Sequence, residues 1–140
     1  MSTPTLPRGI RNNNPGNIRW GDAWQGLVSQ DQRTDPTFCQ FTDAVYGIRA
    51  MVRIFGKYSD AYGLNTVAGI INRWAPPSEN NTLAYVLNVA RLIGVAPDDK
   101  INVHNTAIMD TLIKAVIQHE NGEQPYDTAT IDKGIALAGV

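Results

Sequence analysis

A mainly α, α+β domain is what this sequence predicts, with five or so helices and a small irregular β-hairpin region near the N-terminus. Three observations predict it. From about residue 45 onward, apolar residues recur at three- and four-residue steps, the period of a helix with one buried face. Each of those stretches begins at an Asn, Asp or Thr and stops at a Gly or a Pro pair. Residues 8–41, in contrast, are rich in Asn, Gly, Asp and Gln and leave room only for short extended pieces at 17–20, 26–29 and 37–41.

In chain order, residues 1–7 read as a flexible leader, because Pro4 and Pro7 both oppose regular structure. Residues 8–140 then form a single domain. Val45, Ile48, Met51, Val52, Phe55 and Tyr58 define a helix opened by Thr42 or Asp43 and closed near Tyr62-Gly63. A second, opened by Asn65 or Thr66, runs through Val67, Ile70, Ile71 and Trp74 until Pro76-Pro77 cuts it. A third opens at Asn80 or Asn81, turns Leu83, Val86, Leu87, Ala90 and Ile93 inward, and stops at Gly94. Residues 95–105 connect it to a strongly amphipathic helix ending at Asn121-Gly122. A shorter, weaker helix follows from Asp127 to about Ala138.

Composition narrows the classes of function. With 43% hydrophobic and 18% charged residues over 140, the chain can bury a sizeable core. A net charge of −1 gives no reason to expect a nucleic-acid partner or a membrane surface. No apolar run reaches the length of a membrane span, and the first residues lack the apolar core of a signal peptide. One Cys, Cys39, and two His, His104 and His119, fall short of structural zinc spacings, so no metal and no cofactor is expected. A Cys39–His104 or Cys39–His119 nucleophile pair is the weakest of the catalytic options, and the familiar elbow, phosphate-loop and zinc-protease motifs are absent.

The most informative position is Glu120. Met109, Leu112, Ile113, Val116 and Ile117 form one apolar stripe, and Glu120 is its next member, in the last turn before the stop. Partial burial and the negative end of the helix both disfavour its ionised form. A carboxyl treated this way keeps its proton near neutrality and serves as a general acid. The plainer reading is a terminal Glu fanned out to solvent. Three polar segments stand apart from the helical core. Residues 11–19 carry Asn12, Asn13, Asn14 and Asn17, whose amides both donate and accept and so suit the hydroxyl and N-acetyl groups of a sugar chain; the same residues also build tight turns. Residues 38–48 offer Gln40 or Thr42 to a cleft, with helix capping as the alternative work for Thr42 and Asp43. Residues 74–85 form a rigid elbow with Tyr85 one turn into the next helix, and Trp20 and Trp24 are placed to stack on sugar rings.

His119-Glu120-Asn121-Gly122 after Lys114-Ala115-Val116-Ile117 resembles the catalytic-helix motif of the lysozyme superfamily, in its lytic transglycosylase and glucosaminidase branches. Residues 13–18 look like those families' Asn-rich segment, 38–48 like their strand-to-helix step, and 74–85 like their late motif, with Tyr85 in the tyrosine's place. The order is rotated, with the Glu helix moved from front to back, so the resemblance is to a circularly permuted lysozyme-like domain; permutation is tolerated where termini lie close together. Residues 8–18, with the chain to about 126, also look like phage-encoded muramidases and virion proteins.

The resemblance implies cleavage of peptidoglycan glycan strands, by an N-acetylmuramidase or a lytic transglycosylase, with Glu120 protonating the glycosidic oxygen. It implies that Asn13, Asn14, Gln40 and Tyr85 orient substrate or stabilise charge, with Asn17, Trp20 and Thr42 lining the same site. For a second carboxylate Asp22, Asp43 and Glu79 are candidates, and Asp22 is preferred as base because it lies in a turn near the Asn segment. The expected partner is the glycan strand, the expected protein a monomer made without a signal peptide and reaching the wall through a holin or as part of a virion. The alternative is a non-catalytic virion or wall-binding module of the same fold. A DNA-contacting role for Arg8, Arg11 and Arg19 is the distant third, opposed by the near-neutral charge.

Overall fold

Each long helix starts at a side-chain cap that the sequence displays. The computed structural model describes residues 5–139, and within them six helices. The first, α1 (Arg8–Arg11), is a single turn. Helix α2 (Ala44–Tyr62) begins where the Asp43 carboxylate accepts from the Val45 N–H at 2.9 Å, and ends at Gly63 in the left-handed region. Helix α3 (Val67–Trp74) is capped by Thr66, α4 (Thr82–Ile93) by Asn81, α5 (Thr106–Asn121) by Asn105 and α6 (Thr128–Ala138) by Asp127. Gly94 and Gly122 stop α4 and α5 at positive φ.

These helices pack as a closed ring. Helix α2 lies on α6, α6 on α5, α5 on α4, α4 on α3, and α3 returns to α2. The seam is apolar: Ile48, Met51, Val52 and Phe55 of α2 meet Ile70 and Ile71, Val89, then Leu112, Ile113, Val116 and Ile117, and Ile131, all fully buried. Each such side chain contributes about 1.5–3 kcal/mol by leaving water. Helices α2 and α6 approach closely enough that a Cβ on Gly134 would stand 2.5 Å from Ile48 Cγ2. Arg53 of α2 ties the same pair by donating to the Ala138 carbonyl at 3.0 Å.

Two expectations are corrected. The hairpin region holds no named strand among the described residues; isolated antiparallel bridges, Arg19 with Phe38 and Leu27 with Phe41, carry it. Side-chain bonds replace a ladder there, because the Asn and Gly content offers too few β-forming residues to extend one. Of the leader, residues 1–4 lie outside the described residues, while Pro7 starts α1 and Leu6 accepts from Arg11 Nε at 2.9 Å. Helix α4 is turned part-way about its axis: Val86 and Ala90 face the core as expected, Tyr85 and Val89 join them, and Leu83 and Leu87 are 70% and 51% exposed. This helix is apolar nearly all round, so periodicity cannot choose its inner face. Accordingly, Leu83→Ala is expected to stay within about 0.5 kcal/mol of wild type. Val86→Ala is expected to cost about 2 kcal/mol. Urea unfolding of both variants checks the rotation, and the opposite ranking would restore the original face.

The early segment is instead organised around Asp35. Its side chain, 7% exposed, accepts from Arg8 Nε and Nη2 at 2.7 and 2.6 Å, from Asn12 Nδ2 at 2.9 Å, and from the Thr37 and Phe38 N–H groups at 2.9 Å. Those donors hold its carboxyl far below the ordinary range, with the Arg8 bond the largest cause. Beneath it, Cys39, Phe41 and Ala50 form a second small core against Ile18, Trp20, Trp24, Leu27 and Tyr46.

Candidate functional site

Glu120 sits where α5 ends against the α3–α4 elbow and the early loop. A cleft of about 410 Å³ opens there, lined by Gly16, Asn17, Ile18 and Arg19 from the chain's beginning, Phe38, Ile54 and Tyr58, then Trp74, Glu79, Asn80 and Glu120. The early wall is fastened to the end of α5 by the next residue, Asn121, whose Nδ2 donates to the Pro15 carbonyl at 2.8 Å and to Ile117 at 3.0 Å. At the floor, a Cβ on Gly16 would stand 2.8 Å from Met51 Cγ and 3.0 Å from Trp74 Cη2, so only glycine lets this backbone lie on the core. The elbow is rigid for a similar reason. Buried Thr82 donates its hydroxyl to the Ala75 carbonyl, and the Glu79 N–H donates to Pro76 at 3.0 Å.

The Glu120 carboxyl is half-buried, and burial pushes it up to about 7. The Trp74 indole N–H favours the carboxylate and opposes that rise, although it makes no hydrogen bond. Beside the pair, Tyr85 is 1% exposed, and its hydroxyl also lacks a partner. Burial first, and then the nearby Glu120 charge, hold that phenol far above its usual value, so it stays neutral. His119 stacks on the Tyr85 ring at 3.6 Å between centroids and fixes its plane. Two uncommitted donors thus stand next to one half-buried acid. A proton leaving Glu120 creates a carboxylate that either donor can stabilise after a small side-chain rotation.

The other sequence candidates scatter. Asn17 lines the cleft, at φ 51°. Asn14 is fully buried and its amide is spent on Ile18 and Cys39 carbonyls and the Ile18 N–H, which corrects its substrate-binding role. Asn13 donates to the Phe41 carbonyl at 3.1 Å, and Gln40 bridges Asn12, Thr34 and Asp35; both are scaffold. Thr42 donates to the Gly26 carbonyl at 3.2 Å. Trp20 is held by its indole N–H on the Asp35 carbonyl at 2.7 Å, with Arg33 over its ring, away from the cleft. Tyr85 is buried and does not line the cleft, so it feels the Glu120 charge rather than touching a ligand, which corrects its substrate-binding role.

Asp22 is exposed and lines a neighbouring groove, and Asp43 is spent as the α2 cap. Of the three carboxylates weighed as partners, Glu79 is the one that shares the Glu120 cleft. Trp74, Arg19, Phe38 and Tyr58 escaped the sequence reading as site residues; the Pro pair beside Trp74 was the one local signal. Cys39 is buried, its thiol pushed up to about 11 by burial, and it donates to the Arg19 carbonyl, while His104 pairs with Asp60 at 2.7 Å. No Cys–His nucleophile forms. Among the described residues no cluster of His, Cys, Asp and Glu could hold a metal ion, and no helix is long and apolar enough to cross a membrane.

Over 131 residues the chain is 43% identical to Protein P5 of Pseudoalteromonas phage PM2, a match spanning 91% of this chain and 79% of that protein. No family model matches the sequence.

Proposed function

The chain belongs to the family of Protein P5 of phage PM2, and we propose that it cleaves the glycan strands of peptidoglycan with Glu120 as general acid. The observation that carries the reading is a carboxyl pushed up to about 7, half-buried at the edge of a cleft of about 410 Å³ whose opposite wall comes from the Asn-rich beginning. Such a group keeps its proton on about half of the molecules at neutrality and faces a space of saccharide size, which is what protonation of a glycosidic oxygen requires. The arrangement supports a circularly permuted lysozyme-like domain, with Trp74 and Tyr85 steadying the acid and Asn17 and Arg19 facing the sugar. A phage setting supports the substrate, because a phage meets the wall on entry and on exit. Either route, in the virion or through a holin, brings the protein to the wall.

Two chemistries fit one acid. With Glu79 as base in the same cleft, water attacks and the product is a reducing sugar. With Glu120 alone, the muramyl 6-hydroxyl attacks and the product is anhydro. Mass spectrometry of purified sacculi after digestion distinguishes them: soluble muropeptides are expected, and a mass lower by one water marks the second route. Sacculi that stay intact with wild-type protein, while it still binds them, would leave the wall-binding module as the function.

A further inference from the structure

A second groove, of about 610 Å³, runs on from the Glu120 cleft, and Ile18, Ile54 and Tyr58 are common to both walls. Its chemistry differs. Where the cleft sets Arg19 among amides and carboxyls, the groove gathers Arg53, Lys57 and Arg73 among Trp24, Tyr58 and Tyr62. The Arg73 guanidinium lies 4.1 Å from the Tyr62 ring centre and 5.4 Å from that of Tyr58; Lys57 Nζ lies 6.0 Å from Tyr62. Neither Arg73 nor Lys57 joins an ion pair among the described residues. Both side chains are exposed, so nothing in the fold demands charge at either position. Of the two acids on the groove, Asp60 is engaged by His104 at 2.7 Å, which leaves the cations in excess.

A guanidinium held over two aromatic rings loses little freedom when it grips a carboxylate. Neutral sugar hydroxyls are matched by amides and need no full charge. We propose that this groove binds the carboxylate-bearing peptide stem of the glycan substrate, with Arg73 and Lys57 as its anchors; the inference rests on the glycan-cleavage reading. The strand would lie in the Glu120 cleft, and its branch would pass over Tyr58 into the cationic groove. The site therefore selects stem-bearing strands over bare ones.

The test compares native peptidoglycan with peptidoglycan whose stem carboxyls have been capped as neutral amides. Wild type is expected to show an apparent KM about five- to tenfold higher on the capped wall, the scale of one or two partly exposed charge contacts. Arg73→Gln with Lys57→Gln should raise KM by the same factor on the native wall, leave kcat unchanged, and leave the capped wall unaffected. Arg73→Lys, which keeps charge but not the planar fork, should recover part of the loss. Equal KM on both walls for wild type and variants would overturn the stem site while the cleavage reading stands. Loss of wild-type digestion on both walls would overturn the cleavage reading, and this proposal with it.

Discussion

Replacing Glu120 with Gln is expected to lower glycan cleavage by about 10²–10⁴-fold while making the folded protein more stable above pH 7. The two effects share one cause. The unfolded chain holds this carboxyl near its ordinary value of about 4.3, whereas burial in the fold pushes it up to about 7. A raised acid disfavours folding only where the unfolded chain has ionised and the fold resists. The penalty is therefore absent below about pH 4, grows between 4 and 7, and is constant above 7. Glutamine has the same shape and never ionises. The variant's advantage should follow that window and level off at about 2 kcal/mol once the groove's water access is discounted. Thermal unfolding at pH 4, 5.5 and 8 measures one half, and turbidity clearing of sacculi the other. Wild-type activity should decline as pH passes 7, because the proton to be donated is lost. Full clearing by the Gln variant, or a stability gap independent of pH, would remove Glu120 from the role.

The second large effect is expected far from the cleft. Asp35→Ala should destabilise the protein by about 2–3 kcal/mol, a figure that allows for solvent screening of the partly exposed Arg8. That corresponds to roughly 6–10 °C in Tm at this chain length. The substitution strands Arg8, the Asn12 amide and the Thr37 and Phe38 N–H groups at once. The sign of the pH dependence is opposite to that of Glu120. Asp35 is held far below its ordinary range when folded, so its contribution is complete above about pH 5 and disappears as pH falls through 4 and lower. Wild-type Tm should therefore drop on acidification from pH 5 to 3, and the Ala variant should start lower and drop less. Parallel curves would show that Asp35 is not the hub of the early segment.

What the sequence displayed was local. Asp43, Thr66, Asn81, Asn105 and Asp127 cap helices a few residues away, and Gly94 and Gly122 end them, so all five long helices could be read from neighbours in the chain. Glu120 was legible for the same reason, as one more step of a stripe. Relations across the chain were hidden. Asp35 meets Asn12 and Arg8 at separations of 23 and 27 residues, with no period to announce them. Asn14 and Gln40 carry the same amide that grips sugars, and only the fold shows both engaged inside the protein. Leucines surround α4, so its apolar pattern does not single out the face that buries Tyr85. Glu79 and Trp74 enter the cleft because Pro76-Pro77 bends the chain there, a bend whose direction residue order does not encode.

The Asn121 side chain that reaches the Pro15 carbonyl joins positions 106 apart. The chain as far as residue 121 must therefore have left the ribosome before the cleft can exist. Until then the acid lacks its far wall and the early loop lacks its anchor. Long-range closure of this kind also slows folding, and it makes the cleft a late feature of the folding chain.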